Sequence, residues 1–120
     1  MNLNIKVEQH DLLTDDIQTY EARADVFEDG YLVYRTDNKM YKINISEEEL
    51  LINYVSKLGM TKLYAKCGKG ECVVSNSVGD MCLKLFVCDS FIADDVLKVE
   101  YQLLQQDEIV SHFLYCWRKL

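Results

Sequence analysis

The chain has 120 residues, of which 49% are hydrophobic and 28% are charged, and its formal net charge is −7. This length predicts a single domain spanning residues 1–120, and the composition excludes a disordered chain. The negative charge argues against a nucleic-acid partner, because such binding depends on lysine and arginine contacts to phosphates. No run of about 18 apolar residues is present, so the sequence predicts no membrane-spanning helix.

The N-terminus and the cysteines predict a cytoplasmic protein. The first five residues lack the basic start and the long apolar run of a secretory signal. The five cysteines are an odd number. Without a secretory signal they are best interpreted as reduced thiols, several of them buried as small hydrophobic residues.

The first half of the chain alternates apolar and polar residues with the period of a β-strand. The alternation begins within residues 2–13 and continues through a longer second strand at residues 17–28. Asp29 and Gly30 then predict a tight hairpin turn, because glycine readily adopts the positive φ that such turns require. A short third strand and a fourth at residues 39–46 follow, and a loop leads into a fifth.

The second half continues in the same way, with glycines at its turns. Two turns, at residues 68–71 and 77–80, are predicted to separate three central strands. Residues 90–95 are predicted to form a loop, and two more strands cover residues 97–103 and 108–118.

The strands and their connections predict an all-β fold. About ten strands are joined by short turns, which favour antiparallel neighbours. An open meander of this size leaves exposed edges, and closure into a barrel removes them. We therefore predict a single antiparallel up-and-down barrel of about 8–10 strands, with a two-sheet sandwich as the alternative.

The alternation also assigns a large, aromatic set of residues to the barrel interior. These residues are Tyr20, Val26, Tyr41, Ile43, Ile45, Leu63, Leu85, Val99, Tyr101, Phe113, Tyr115 and Trp117. Their size favours a filled or narrow interior. If a pocket exists, it is apolar with a few tyrosine hydroxyls, as small-molecule sites generally are. The candidate ligand-binding residues are Tyr41, Tyr101, Phe113, Tyr115 and Trp117.

The cysteines do not predict a metal site. Cys67 and Cys72 straddle a turn and offer half of a zinc site or a hairpin disulfide, but a structural zinc site needs four ligands. Cys82 and Cys88 lie on one strand, roughly 20 Å apart at about 3.3 Å per residue. Neither spacing completes a cluster with the histidines, so we expect packed or unpaired thiols, no metal and no cofactor.

The sequence likewise predicts no enzyme. Nucleophilic catalysis needs a nucleophile beside an oriented base. Neither His10 nor His112 has a partner that the sequence can identify, and no Gly-x-Ser-x-Gly motif occurs. We expect no catalytic residue.

The last strand is apolar on both faces. One face carries Ile109, Phe113, Tyr115 and Trp117, and the other carries Val110, His112, Leu114, Cys116 and Arg118. A strand of this kind is covered on both faces. Because only one face can fill the barrel, we predict that the second, here called the outer strip, forms a homodimer contact.

Three groups of residues carry a family resemblance. They are Glu28-Asp29-Gly30 with Tyr31, Val33, Tyr34, Lys42, Ile43 and Ile45; Leu58-Gly59 with Gly79, Leu83, Leu85 and Val87; and Val99, Tyr101 and Leu103 with Phe113 and Tyr115. Together they resemble the YwiB-like family of small bacterial proteins of unknown function, whose fold is a calycin-type barrel related to lipocalins and fatty-acid-binding proteins. The chain departs from that pattern at Lys57, where arginine is usual, and at the turn of residues 76–79. The resemblance implies a lipocalin-like barrel and a cytoplasmic setting, and no activity.

Two functional hypotheses follow. The first, favoured by analogy with calycins, is a protein that binds a small hydrophobic or amphipathic ligand inside the barrel. The alternative is a non-enzymatic protein-interaction module that uses the outer barrel surface.

Overall fold

The computed structural model describes residues 2–120, and within them ten β-strands alternate with short turns. The strands are β1 (Asn2–Asp11), β2 (Asp16–Val26), β3 (Leu32–Arg35), β4 (Lys39–Ile45), β5 (Glu49–Ser56), β6 (Gly59–Lys66), β7 (Lys69–Asn76), β8 (Gly79–Ile92), β9 (Val96–Gln105) and β10 (Glu108–Lys119). None of the described residues forms a helix that is long and apolar enough to cross a membrane.

The strands close into one up-and-down antiparallel barrel. Each strand pairs with its neighbours in sequence, and β1 pairs with both β2 and β10. The predicted all-β barrel is therefore confirmed, and the two-sheet sandwich is wrong. Pairing β1 with β10 satisfies the backbone groups that two free edge strands would otherwise expose.

The turn between β6 and β7 is shorter than predicted. Cys67 and Gly68 form it alone, with φ angles of 54° and 84°. Two successive positive φ angles are typical of the type I′ turn, whose twist matches that of the flanking strands. Because β7 already begins at Lys69, Gly70 lies inside a strand, and its prediction as a turn residue was wrong.

β8 is longer than predicted and contains a bulge. It runs to Ile92, so only residues 93–95 connect it to β9, and the predicted loop at residues 90–95 was too long. Its register against β9 shifts between Val87 and Asp89, which makes Cys88 the extra residue. A bulge of this kind places two residues opposite one partner and redirects the side chains around it.

A second bulge changes the face of one predicted residue in β10. The register against β9 shifts between Ile109 and Ser111, so Ile109 pairs with Leu104 while Ser111 pairs with the buried Leu103. Ile109 is therefore exposed, and its assignment to the same face as Phe113 was wrong. Strict alternation fails here because the bulge inserts one unpaired residue, Val110.

The barrel interior contains most of the residues that alternation assigns to it. All members of the predicted interior set except Phe113 are buried or pack against the buried core, and Phe113 lines a cavity. The prediction omitted Tyr34, which is only 1% exposed and is the largest fully buried side chain of the described chain. The inward residues of β1, Ile5 and Val7, were also omitted from the set.

Candidate functional site

The candidate site lies at one end of the barrel, which we call the tyrosine end. It is the end at which the β1–β2, β3–β4, β5–β6, β7–β8 and β9–β10 hairpins lie. Tyr34, Tyr41 and Tyr54 occupy paired positions on β3, β4 and β5. The ring centroids of Tyr34 and Tyr41 are 4.7 Å apart, and those of Tyr41 and Tyr54 are 5.3 Å apart. Each such aromatic pair contributes about 0.5–1.5 kcal/mol beyond its burial.

The tyrosine hydroxyls form a hydrogen-bonded chain across the interior. Gln9 Nε2 donates to the hydroxyl of Tyr20 over 3.2 Å. The Tyr20 and Tyr34 hydroxyl oxygens are 2.9 Å apart, and those of Tyr34 and Tyr115 are 2.7 Å apart. Tyr34 thus joins β2 to β10 through a side chain on β3, and its hydroxyl is the central member of the chain.

We expect Tyr34→Phe to destabilise the protein by about 1–3 kcal/mol, because it leaves the buried Tyr115 hydroxyl without this partner. Urea unfolding followed by circular dichroism measures the change. Tyr64→Phe is the matched control, since Tyr64 is 43% exposed. Equal effects of the two substitutions would show that the hydroxyl chain does not stabilise the fold.

The same hydroxyls are held in their neutral form. Burial raises the pKa of Tyr20, Tyr34, Tyr101 and Tyr115 above the ordinary tyrosine value. The hydrogen bond between Tyr34 and Tyr115 lowers the pKa of Tyr115, but burial outweighs it. At neutral pH this part of the interior therefore offers uncharged groups that can both donate and accept hydrogen bonds.

Four of the five predicted ligand-binding residues line one cavity of about 90 Å³. Tyr41, Tyr101, Phe113 and Tyr115 share it with residues that the prediction omitted, namely Gln9, Lys39, Ile52, Tyr54 and Leu114. The Tyr101 and Phe113 rings meet at a centroid distance of 5.8 Å. Trp117 instead packs against the buried core, and its indole Nε1 is buried without a hydrogen-bond partner among the described residues.

A wider recess of about 710 Å³ adjoins this cavity at the surface. Gln9, Lys39 and Tyr41 border both spaces. The rest of the recess is lined by Gln18, Tyr20, Glu21, Arg35, Thr36, Asp37 and Asn38. The Lys39 ammonium lies 5.2 Å from the centroid of the Tyr54 ring, which holds a positive charge at the boundary of the two spaces.

Some of the omitted lining residues could have been found from the sequence. Lys39 has the same strand parity as Tyr41, so alternation alone places it on the inner face. Tyr34 lies in a strand of four residues, which is too short for its pattern to assign a face. Tyr54 lies in a strand whose apolar residues are nearly continuous, so the period of two is obscured.

The two cysteines at the β6–β7 turn lie in different environments. Cys67 is exposed in the turn, whereas Cys72 is buried inside the barrel, and both are free thiols. Burial, with a smaller effect of Cys82, raises the pKa of Cys72 to about 11. Cys72 is therefore a small hydrophobic residue of the core, as expected for a buried thiol.

Both histidines have carboxylate partners that the sequence did not identify. His10 Nε2 lies 2.7 Å from Asp15 Oδ1, and His112 Nε2 lies 2.8 Å from Glu100 Oε2. Asp15 belongs to the β1–β2 turn, whereas Glu100 reaches His112 from the neighbouring strand β9.

The outer strip is only partly exposed in the single chain. Cys116 is 6% exposed although it faces outward, whereas Val110 is 42% exposed. The homodimer contact on this strip stays a prediction.

The comparisons with known proteins support the fold. No family model matches the sequence, and no curated protein matches it significantly. The crystal structure of the ywiB protein from Bacillus subtilis is similar to this chain, with a TM-score of 0.61 and 12% sequence identity. The alignment covers 99% of this chain and 90% of that chain. The resemblance to YwiB is therefore supported at the level of the fold.

Proposed function

We propose that the protein binds a small amphipathic molecule at the tyrosine end of the barrel. The observation that carries the proposal is the cavity of tyrosine and phenylalanine rings that adjoins a wider recess at Gln9, Lys39 and Tyr41. Small-molecule sites are typically concave and largely apolar, with a few placed polar groups. The neutral tyrosine hydroxyls and the Lys39 ammonium are such groups here.

The sizes of the two spaces decide how much of the ligand lies inside the barrel. At about 30 Å³ per water, the cavity of about 90 Å³ holds roughly three waters or one small apolar group. Typical ligand pockets have volumes of about 300–1,000 Å³, a range that includes the recess of about 710 Å³. We therefore place one small group of the ligand in the cavity and the remainder in the recess, rather than the whole ligand inside the barrel.

The charged residues that line the recess indicate where a charged group of the ligand lies. Lys39 borders both spaces, and Arg35 lines the recess, so an anionic group fits at their boundary. Glu21 and Asp37 also line the recess and disfavour a ligand of high negative charge. An apolar or aromatic group with a single anionic substituent satisfies both conditions.

The proposed function is binding alone, with no chemical reaction of the ligand at this site. The tyrosine hydroxyls that face the cavity hold their protons at neutral pH, which makes them poor general bases. We further place this binding in the cytoplasm, because the five cysteines are free thiols and reduced thiols are typical of that compartment.

Mass spectrometry of the purified protein tests for a bound ligand. The spectrum under native conditions is compared with that of the unfolded chain. We expect an additional mass in the native spectrum that is released on unfolding and identifies the ligand. A mass equal to that of the chain alone, even after incubation with a cell extract, would contradict the proposal.

The fluorescent probe 8-anilinonaphthalene-1-sulfonate tests the location of the site, since it combines aromatic rings with one anionic group. We expect saturable binding of one probe per chain, weakened about tenfold by Lys39→Met, which corresponds to roughly 1.4 kcal/mol. Lys6→Met is the matched control, because Lys6 is exposed on the outer face of β1. Equal affinities of the two variants would place the probe elsewhere.

A further inference from the structure

Three types of metal ligand meet on the outer face of the barrel wall, rather than in its interior. Cys88 on β8, Glu100 on β9 and His112 on β10 bring a thiol sulfur, a carboxylate oxygen and an imidazole nitrogen together. These three atoms all lie within 4.8 Å of one another. None of them takes part in the site proposed above.

The bulge in β8 explains how the three side chains come together. Because the register shifts at this point, Cys88 and Asp89 both lie beside Glu100 on the neighbouring strand. His112 pairs with Gln102, which places it diagonally across from Glu100 on the same outer face. Long side chains reach one another across such diagonal positions. Bulges often occur at functional sites because they redirect a side chain in this way.

We propose that Cys88, Glu100 and His112 bind one Zn²⁺ ion, with a water molecule in the fourth position. Zinc bonds of about 2.3 Å to sulfur and about 2.0–2.2 Å to nitrogen and oxygen require tetrahedral ligand atoms roughly 3.4–3.6 Å apart. The observed distance between His112 Nε2 and Glu100 Oε2, 2.8 Å, is shorter than this range, and all three ligand atoms lie within 4.8 Å of one another. Small side-chain rotations therefore complete the coordination without a movement of the strands.

The surroundings of the three side chains favour the binding of a divalent cation rather than an ion pair of His112 with Glu100 alone. The side chains of Glu100 and His112 are only 34% and 22% exposed, so their positions are restricted. Asp89, which follows Cys88 in the bulge and pairs with Glu100, adds a second carboxylate. The pair of His10 with Asp15 lacks these features, because Asp15 is 88% exposed.

The ligand set indicates what kind of zinc site this is. A mixture of sulfur, nitrogen and oxygen donors suits zinc better than magnesium or calcium, which prefer oxygen alone. Closed structural sites use four protein ligands, whereas three ligands leave a position open for water or another molecule. Cys88 is exposed, so the open position faces solvent. The ion is therefore exchangeable and accessible to small ligands.

Metal titration of the chelator-treated full chain tests the proposal. We expect isothermal titration calorimetry to detect one equivalent of Zn²⁺, and Co²⁺ to give the ultraviolet absorption of a cobalt–thiolate bond. Cys88→Ser and His112→Gln should each weaken Zn²⁺ binding by at least about 100-fold, the upper end of the range measured for groups that only support a ligand. Circular dichroism establishes that each variant is folded.

Two control variants make the result specific. Cys82→Ser removes another exposed thiol from the same strand, and His10→Gln removes the other histidine. Both should bind Zn²⁺ as the unaltered chain does. If Cys88→Ser does not fold, Glu100→Gln tests the same prediction without changing a cysteine. Unchanged binding in the ligand variants, equal losses in the controls or no binding in the unaltered chain would each overturn the proposal.

Discussion

The Gly70→Ala variant is expected to lose at least about 3 kcal/mol of unfolding free energy, the upper end of the usual cost of overpacking. Gly70 lies inside β7 and pairs with Ala65 on one side and Leu85 on the other. A Cβ atom at this position would overlap the carbonyl oxygen of Tyr64 and lie 2.6 Å from the Cα of Ala65. Both are backbone atoms of β6, so no rotation of a side chain relieves the overlap.

Urea unfolding followed by circular dichroism measures this loss, and Gly79→Ala is the matched control. Gly79 has a φ of 136°, and an added Cβ there meets no described atom within 4 Å. That substitution should cost only the backbone strain of a non-glycine residue at positive φ, about 1–2 kcal/mol. A smaller loss at Gly70 than at Gly79 would show that β6 and β7 separate more easily than the closed barrel suggests.

Gly70 also shows why part of the fold could not be predicted from the sequence. The segment from Gly68 to Glu71 has the composition of a turn, but turn composition does not say which glycine lies in the turn. The structure uses Cys67 and Gly68 and leaves Gly70 in the strand. The distinction depends on the close approach of β6, which is a tertiary contact.

The strands themselves were predictable because alternation reports directly on burial. Tyr41 and Ile43 on β4, and Val99 and Tyr101 on β9, face inward as their period of two requires. The alternation within each of these strands is sufficient to assign its inward face, since one face of the strand is buried and the other is solvated. Alternation fails at Ile109, where the bulge in β10 shifts the register by one residue.

Fewer residues of the candidate sites could be predicted from the sequence, because these sites depend on the register between neighbouring strands. Tyr41, Tyr101, Phe113 and Tyr115 were found from parity alone, but the hydroxyl chain through Tyr34 was not. The cluster of Cys88, Glu100 and His112 takes one residue from each of three neighbouring strands. Its ligands show no short spacing in the sequence, and only the bulge at Cys88 aligns them.

The protein is expected to lose stability steeply as the pH rises above about 10, the ordinary pKa of tyrosine. Burial raises the pKa of Tyr34 and Tyr115 in the folded state. Below pH 10 both residues are protonated in the folded and unfolded states, so they add no pH dependence. Above pH 10 the unfolded state releases these protons and the folded state does not, so rising pH favours unfolding.

The decrease of the unfolding free energy with rising pH is large enough to dominate the stability of the protein under alkaline conditions. Each tyrosine that ionises only on unfolding lowers the unfolding free energy by about 1.4 kcal/mol per pH unit. Tyr34 and Tyr115 together therefore lower it by about 2.7 kcal/mol per pH unit. A typical domain has an unfolding free energy of about 5–15 kcal/mol, and these two hydroxyls alone remove about 5 kcal/mol over two pH units. We therefore expect the loss of circular dichroism to coincide with the part of the tyrosinate absorbance that comes from these two buried tyrosines.

Urea unfolding at a series of pH values between about 9 and 11 measures the slope. Tyr34→Phe should reduce the slope by about 1.4 kcal/mol per pH unit, because one buried hydroxyl no longer ionises on unfolding. Tyr64→Phe should leave it unchanged, because that ring is exposed in the folded state. If Tyr34→Phe also leaves the slope unchanged, the central hydroxyl of the chain is accessible to solvent rather than buried.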